Sequence, residues 1–216
     1  MQHIICTSDS LVTQALSGDG FIKTNQNIFD LNQIWIGPRP HLEEDENFKQ
    51  IIPYVILSYQ GKIAVYQRTK KGGESRLHNS HSIGFGGHMD AFDLTYDADG
   101  TINLDQTIET SAQREIDEEL VVSGISSKTK LGYIIDNSNP VGRVHIGVVE
   151  RWELTSDQIK SNEDEIRVVG MYAIKELKQL DVNMENWSEH IINGLWIKFD
   201  LTELNHWFKV LIIYWD

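Results

Sequence analysis

The sequence predicts an α/β fold, in which helices cover both faces of a mixed β-sheet. Runs rich in Ile, Val and Tyr precede one long amphipathic helix, similar runs follow it, and helical patterns return towards the end of the chain. Strands on both sides of a helical segment are typical of α/β domains. With 216 residues, we expect one domain, or one domain with an appendage.

The N-terminal part carries the weakest pattern. Breakers at Gly18–Gly20 and Gly37–Pro40 interrupt residues 1–48, which also hold an acidic run at Glu43–Glu46. We expect a loop-like N-terminal segment or a small lobe there.

The first predicted strands follow this segment. Ile51–Ser58 and Lys62–Gln67 have strand composition, and Tyr59–Gly61 between them is typical of a short hairpin turn. A shorter strand, Ser82–Gly86, leads into Gly87 and His88, and paired glycines let a backbone pass close to a ligand or a neighbouring strand.

The central helix is the best-marked element. Ile108, Ala112, Ile116 and Leu120 recur at helical spacing and are expected to face the core. Asp105 is the expected N-cap, because its side chain can accept a free backbone N–H.

The second half of the chain predicts more strands and two covering helices. The strands are Lys130–Asp136, Arg143–Leu154 and Ile166–Ala173, and the helices begin at Ile174 and Glu185. The apolar segment Trp207–Trp215 can pack on the domain or on a second copy of the chain, so a homodimer is one expectation.

Three carboxylates crowd one side of the central helix. Glu115 is three and four positions from Glu118 and Glu119, and like charges so placed repel each other. A divalent cation such as Mg²⁺, which prefers oxygen ligands, is the simplest reason to keep them together. The alternative is a solvated acidic face. Arg114 stands four residues before Glu118 and can steady that carboxylate.

This stretch resembles the Nudix box. The pattern is Gly, five residues, Glu, seven residues, Arg-Glu, an aliphatic residue, any residue, Glu-Glu, any residue, Gly and an aliphatic residue. The chain supplies, in register, Gly100, Arg114, Glu115, Ile116, Glu118, Glu119 and Val122. It departs at Gln106, where the first Glu belongs, and at Val121, where the second Gly belongs. Glu109 can replace the missing partner of the arginine.

Further segments resemble a bacterial subgroup of predicted Nudix phosphoesterases: Gln50–Tyr54, Arg76–His78, Ser82–His88 and Asn139–His145. Gly86-Gly87 closes the strand before the box, as in that family, and Asp90–Leu104 is an insertion. The resemblance implies a Nudix-type α/β/α sandwich over residues 49–176, between the segment 1–48 and a C-terminal helical extension, 177–216, packed on that domain.

The resemblance also implies the chemistry. Glu115, Glu118 and Glu119 would bind Mg²⁺ or Mn²⁺, and Arg114 would orient them. Glu118, or Glu163 or Glu165 from a later loop, would take a proton from the attacking water. The implied activity is a divalent-metal-dependent diphosphate hydrolase acting on a nucleoside diphosphate linked to another moiety.

Two other functions remain open. Because Gln106 and Val121 depart from the box pattern, a non-catalytic Nudix-fold module that senses a nucleotide or a partner is an alternative. A metal-dependent isomerase of small diphosphates shares the acidic chemistry, but it should need a cysteine in its pocket, and Cys6 is the single cysteine.

Several residues are candidates for contacting a nucleotide-type substrate. Arginine suits bidentate phosphate contacts. The candidates are Arg68, Arg76, Gly86, Gly87, His88 and Arg143. Loop solvation and sheet packing are the structural alternatives. The acidic stretch Glu163–Glu165 has the same alternative, an exposed loop.

The bulk composition limits partners and location. A net charge of −13 argues against a protein that coats nucleic acid or an anionic membrane. A single cysteine, no basic-then-apolar start and no apolar run of about 20 residues suit a cytoplasmic protein.

Overall fold

A computed structural model describes residues 1–71 and 77–195. The strands are β1 (His3–Ser8), β2 (Gly20–Lys23), β3 (Ile34–Pro38), β4 (Phe48–Tyr59), β5 (Lys62–Arg68), β6 (His81–Ser82), β7 (Gly84–Phe85), β8 (Leu120–Val122), β9 (Ile125–Ile135), β10 (His145–Leu154), β11 (Ile159–Ser161) and β12 (Ile166–Ala173). The helices are α1 (Asp9–Ala15), α2 (Arg39–Leu42), α3 (Leu104–Glu119), α4 (Pro140–Arg143), α5 (Ile174–Leu177) and α6, residues 186–195. Short 3-10 turns occupy Leu31–Gln33 and Ala91–Asp93.

The sheet is mixed, as predicted. Within the described ranges its main path runs β12-β5-β4-β10-β9-β2, and β4 pairs in parallel with β10 while the other neighbours are antiparallel. The predicted β4–β5 hairpin is confirmed. Gln60 and Gly61 both have positive φ, 48° and 77°, and two such residues fit the right-handed twist of the flanking strands.

Helices cover both faces of this sheet, which confirms the sandwich. The apolar side of α3 packs on one face through Ile108, Ala112 and Ile116, all buried as predicted. The other face is covered by α5 and α6 through Leu177, Ile191 and Ile192, as the two predicted helix starts require. Because β4 alternates its side chains, it contributes to both cores.

The expectation that residues 1–48 are mainly loops is wrong. Strand β1 pairs with β3 and β4, and β2 pairs with β9, so this segment extends the main sheet. The buried ammonium group of Lys49 links this segment to the rest of the domain. Lys49 Nζ donates to Asn137 Oδ1 at 3.0 Å and to Arg143 O at 2.8 Å, and it lies 3.4 Å from Oδ1 of Asp9, which belongs to the segment. Gly18–Gly20 leads into β2, and Gly37–Pro40 spans the end of β3 and the start of α2. The division at residues 48 and 176 stays a prediction.

The start of α3 also differs from expectation. Asn103, not Asp105, caps the helix by accepting the backbone N–H of Gln106 at 2.9 Å. The helix ends where Leu120 turns extended and begins β8. Residues 196–216, including Trp207–Trp215, lie outside the described residues, and so does the part of the predicted extension that they form. None of the described helices is both long enough and apolar enough to span a bilayer.

Candidate metal and substrate site

The glycine pair after β7 leaves no room for side chains. Gly86 has a φ of +150°, and a Cβ atom there would lie 1.9 Å from the carbonyl oxygen of Pro53. A Cβ atom on Gly87 would lie 2.6 Å from Glu115 Oε2. The first glycine therefore permits the close approach to β4, and the second makes space for the Glu115 carboxylate.

Arg114 ties α3 to the segment that follows the glycines. Its Nε and Nη2 donate to the two carboxylate oxygens of Asp93, each at 2.9 Å, and Nη2 also donates to His88 O at 3.0 Å. Its Nη1 donates to Glu115 Oε1 at 2.7 Å and to Glu118 Oε2 at 3.2 Å. The hydrogen bonds to Asp93 and the charge of Glu115 raise the pKa of Arg114. The guanidinium thus fixes where Glu115 lies.

Asp93 is the partner that sequence analysis missed. It is 2% exposed, at the end of a 3-10 turn whose capping box it closes by accepting the backbone N–H of Asp90. Gln106 is exposed at the start of α3, and Glu109 pairs with Lys128 at 2.8 Å. Of the described contacts of Arg114, none is to Gln106 or Glu109.

The register through Gly100 and Gln106 is therefore wrong. Gly87 and Asp93 stand six positions apart, which is the spacing of the first Gly and first Glu in the box pattern. The insertion lies after Asp93, not before the box. An aspartate six residues beyond the Gly-Gly pair was the available signal, and the accidental spacing at Gly100 hid it.

Glu119 is the most unusual carboxylate of the site. Its Oε2 is buried and has no hydrogen-bond partner among the described residues. Burial, together with the nearby charges of Glu115, Glu163 and Glu185, raises its pKa to about 8 against the counteracting charge of Arg68. Burial also raises the pKa of Glu115, although Arg114 opposes the shift. Two buried carboxylates that resist ionisation side by side are suited to a cation between them.

The other predicted acids lie at the edge of this pair. Glu118 is 53% exposed and contacts Arg114. The loop after β11 is held to the end of α3, because Asn162 donates to the carbonyl oxygens of Glu118 and Glu119. Its Glu163 is exposed, and its charge acts on Glu119. Within residues 1–71 and 77–195, no three His, Cys, Asp or Glu side chains already converge closely enough to hold a metal ion.

A cleft of about 950 Å³ is lined in part by Gly86 and Gly87. Its lining includes Tyr54, Gly87, His88, Val141, Glu185 and Trp187. Gly87 touches both the cleft and Glu115, so the cleft begins where the carboxylate pair ends. Sequence analysis missed Glu185, which no motif marks as a site residue.

The predicted substrate-binding residues are only partly brought together. Gly86, Gly87, His88 and Arg68 line the cleft, and Arg68 Nε donates to Glu185 Oε1 at 2.5 Å. Arg143 instead pairs with Glu46 at 2.7 Å on the surface, outside the cleft lining. Glu165 is exposed, and its described contact is a backbone one, from Thr69 N–H. Arg76 lies outside the described residues.

Comparisons with known proteins identify the family. No family profile matches the chain. Protein YmaB of Bacillus subtilis is 37% identical over 163 residues, which cover 73% of this chain and 76% of YmaB. The crystal structure of Tm1382, assigned to the Nudix hydrolases by inference, superposes with a TM-score of 0.71 at 24% identity, covering 90% of this chain and 98% of that one. The chain belongs to the same family as YmaB, and it has the fold of the Nudix hydrolases. The residues that resemble the Nudix box lie in two parts: Gly87 and Asp93 precede an insertion, and Arg114 to Glu119 follow it.

Proposed function

We propose that this Nudix protein is a divalent-metal-dependent hydrolase that cleaves a diphosphate bond in a nucleoside diphosphate linked to another moiety. The observation that carries the proposal is the buried, unpartnered Oε2 of Glu119 beside Glu115, next to a cleft of about 950 Å³. An unsatisfied buried carboxylate oxygen is costly, and a bound cation would supply the partner that Glu119 Oε2 lacks.

The residues fit Mg²⁺ or Mn²⁺. Glu115 and Glu119 would hold the ion, with Glu118 at the exposed side, and carboxylate oxygens are the ligands that such hard cations prefer. When bound, the ion would offset the charge of the diphosphate and make a water molecule more acidic.

The chain's own residues would do the rest. Arg114, held by Asp93, keeps Glu115 turned towards Gly87. Arg68 lines the cleft and its charge acts on Glu119, and it could exchange its Glu185 partner for a phosphate oxygen. Glu163, at the edge of the pair, is the general base that we favour over Glu118 and Glu165, because its charge already acts on Glu119.

A substrate panel tests the proposal. ADP-ribose, ADP-glucose, UDP-glucose and GDP-mannose are incubated with the chain and Mg²⁺ or Mn²⁺, and release of nucleoside monophosphate is measured. Glu119→Gln should lower turnover by a factor of about 10³ or more, as expected when charge stabilisation of the transition state is removed. The fold should survive, since a neutral amide replaces an acid whose pKa of about 8 keeps it largely neutral at pH 7. Glu109→Gln, on the same helix, is the matched control.

Metal-independent sensing of a nucleotide is the second candidate. It is favoured by the contacts of Arg114, which already engages Glu115 and Glu118. Calorimetric titration of Mn²⁺ into the wild type and a Glu115→Gln/Glu119→Gln variant separates the two functions. Metal binding that the variant loses supports the hydrolase, whereas nucleotide binding without metal or turnover supports the sensor.

A further inference from the structure

The cleft places one side chain immediately beyond the carboxylate pair. His88 follows Gly87, and both line the cleft, while Gly87 also abuts Glu115. If the proposed function holds and a diphosphate lies at Glu115 and Glu119, the group attached to that diphosphate enters the cleft beside His88. The chemistry of His88 and its surroundings therefore selects this group.

The proton arrangement of His88 is set by its neighbours. His145 Nδ1 lies 2.6 Å from the carbonyl oxygen of Val141, which can only accept, so the proton sits on Nδ1 of His145. Its Nε2 lies 3.1 Å from His88 Nε2. When both rings are neutral, His88 Nε2 must therefore donate to His145 Nε2, which leaves His88 Nδ1 as an acceptor.

This acceptor is open to the cleft. Within the described residues, the buried polar side-chain atoms that lack a partner are Gln50 Oε1, His81 Nδ1 and Glu119 Oε2. His88 Nδ1 has no described hydrogen bond and is not one of them, so this atom is accessible to solvent, and His88 itself lines the cleft. Burial and the charge of Arg39 lower the pKa of His88 to about 3, so the ring stays neutral. A neutral acceptor suits a hydroxyl group, not a phosphate.

The charges around the cleft favour the same group. Among the described lining residues, four carry carboxylates and two carry guanidinium groups: Glu43, Glu44, Asp136 and Glu185 against Arg39 and Arg68. Arg39 is paired with Glu43 at 2.7 Å, and Arg68, which the proposed function assigns to the diphosphate itself, is paired with Glu185 at 2.5 Å. A second phosphate in the cleft would meet this net negative lining.

Part of the remaining wall is apolar. Tyr54 and Trp187 pack edge to face, with ring centroids 5.5 Å apart, and Ile52 and Met184 lie in the same lining. An apolar surface with a few placed polar groups is typical of a site for an uncharged ring compound. The faces of a sugar ring match such a wall, and its hydroxyl groups match His88.

We propose that the cleft binds an uncharged, hydroxyl-bearing sugar group next to the diphosphate, and that His88 Nδ1 accepts a hydrogen bond from one of its hydroxyl groups. The group is either the ribose of the nucleoside or a sugar on the other side of the diphosphate. Both sugars present hydroxyl groups to His88. Two probes distinguish them, one without the ribose hydroxyl groups and one without the second sugar. A substrate with a phosphate on that sugar is disfavoured.

The test measures binding, so that it does not depend on turnover. Calorimetry at pH 8 with Mg²⁺ uses the Glu118→Gln chain and three probes: ADP-glucose, its 2′,3′-dideoxyadenosine analogue and the methyl ester of ADP, which lacks the glucose. His88→Phe should raise the Kd of ADP-glucose about tenfold, the size of one lost hydrogen bond. His88→Phe should not raise the Kd of the probe that lacks the bonded hydroxyl group. The probe that is unaffected therefore identifies the bound sugar.

Two variants control for damage to the fold. His88→Asn keeps an acceptor oxygen near the position of Nδ1 and should recover most of the affinity. His3→Phe changes an exposed histidine at the start of β1 and should match the parent chain. An equal penalty on all three probes, or no binding of any probe, overturns the proposal. If the unsubstituted chain does not turn over ADP-glucose and the hydroxyl-dependent loss of affinity is still seen, the hydrolase is overturned instead, and the sugar site stays supported.

Discussion

Arg114 and Asp93 are 21 positions apart in the chain and share two hydrogen bonds of 2.9 Å. In the Nudix box, the first Glu stands eight positions before the arginine, so the extra length is an insertion placed between two parts that still meet. The 3-10 turn Ala91–Asp93, just before the insertion, keeps Asp93 buried against α3. The Arg114 guanidinium is therefore held from one side by Asp93 and holds Glu115 with the other.

Asp93→Asn should destabilise the chain by about 2 kcal/mol, because a buried charged hydrogen-bond partner of Arg114 is lost. Urea unfolding measures the change. Adding Gln106→Glu should not restore stability, since Gln106 is exposed at the start of α3. If the double variant regained the stability of the parent chain, residue 106 and not residue 93 would occupy the first Glu position of the box pattern.

The elements that could be predicted from sequence are those whose pattern is local. The apolar positions Ile108, Ala112 and Ile116 fix α3, and Ile/Val-rich runs fix β4 and β5, because burial repeats with the period of each structure. The carboxylates of α3 were found for the same reason. Asp93 was missed because the spacing at Gly100 hid the six-residue spacing between Gly87 and Asp93. Glu185 was missed because it acts through a distant partner, Arg68, and no local pattern records that pair.

Strands β1, β2 and β3 escaped prediction for a related reason. Each is short and joins the sheet through pairing with strands elsewhere in the chain, β1 with β4 and β2 with β9. Their stability comes from this pairing and from the buried Lys49, not from their own composition. The glycine and proline breakers lie at the boundaries of these short elements, at the start of β2 and at the junction of β3 and α2.

Gly87→Ala and Gly100→Ala form a matched pair that tests the register of the box. Alanine at Gly87 would put a methyl group 2.6 Å from Glu115 Oε2 and displace that carboxylate. The affinity for Mg²⁺, measured by calorimetry, should fall at least about tenfold, as for a lost ligand contact. Gly100 has a φ of +85° and open space around it, so alanine there should cost about 1 kcal/mol of stability and leave metal affinity unchanged. The reverse outcome would restore the register through Gly100.

The metal-free chain should lose stability as the pH rises from about 5 to about 8. The pKa of Glu119 is about 8 in the folded chain and near 4.5 as an ordinary glutamate, so over this range the folded state binds more protons than the unfolded state. Stability then falls as pH rises, and Glu115, whose pKa is also raised, adds to the trend. Thermal unfolding in EDTA measures it. Glu119→Gln should flatten the profile, and parallel profiles for the two chains would show that Glu119 is not the source of the trend.

Mg²⁺ binding should strengthen over the same pH range. A cation at Glu119 must displace the proton that this carboxyl group holds below pH 8, so binding releases protons and its apparent affinity rises with pH. Calorimetry in buffers of different ionisation enthalpy counts the protons released. A release close to zero at pH 6.5 would show that Glu119 is not a ligand of the ion.

Glu163 and Glu165 offer a matched test of the general base. Both residues are exposed on one loop. The charge of Glu163 is among those that shift the pKa of Glu119, whereas the described contact of Glu165 is through its backbone. Glu163→Gln should lower kcat about 100-fold or more at saturating Mg²⁺, and Glu165→Gln less than about threefold. The pH profile of kcat is the second readout, because removal of the base should abolish its acidic limb. If Glu165→Gln removes that limb instead, the proton is taken by the other carboxylate of the loop, and if neither does, Glu118 becomes the base.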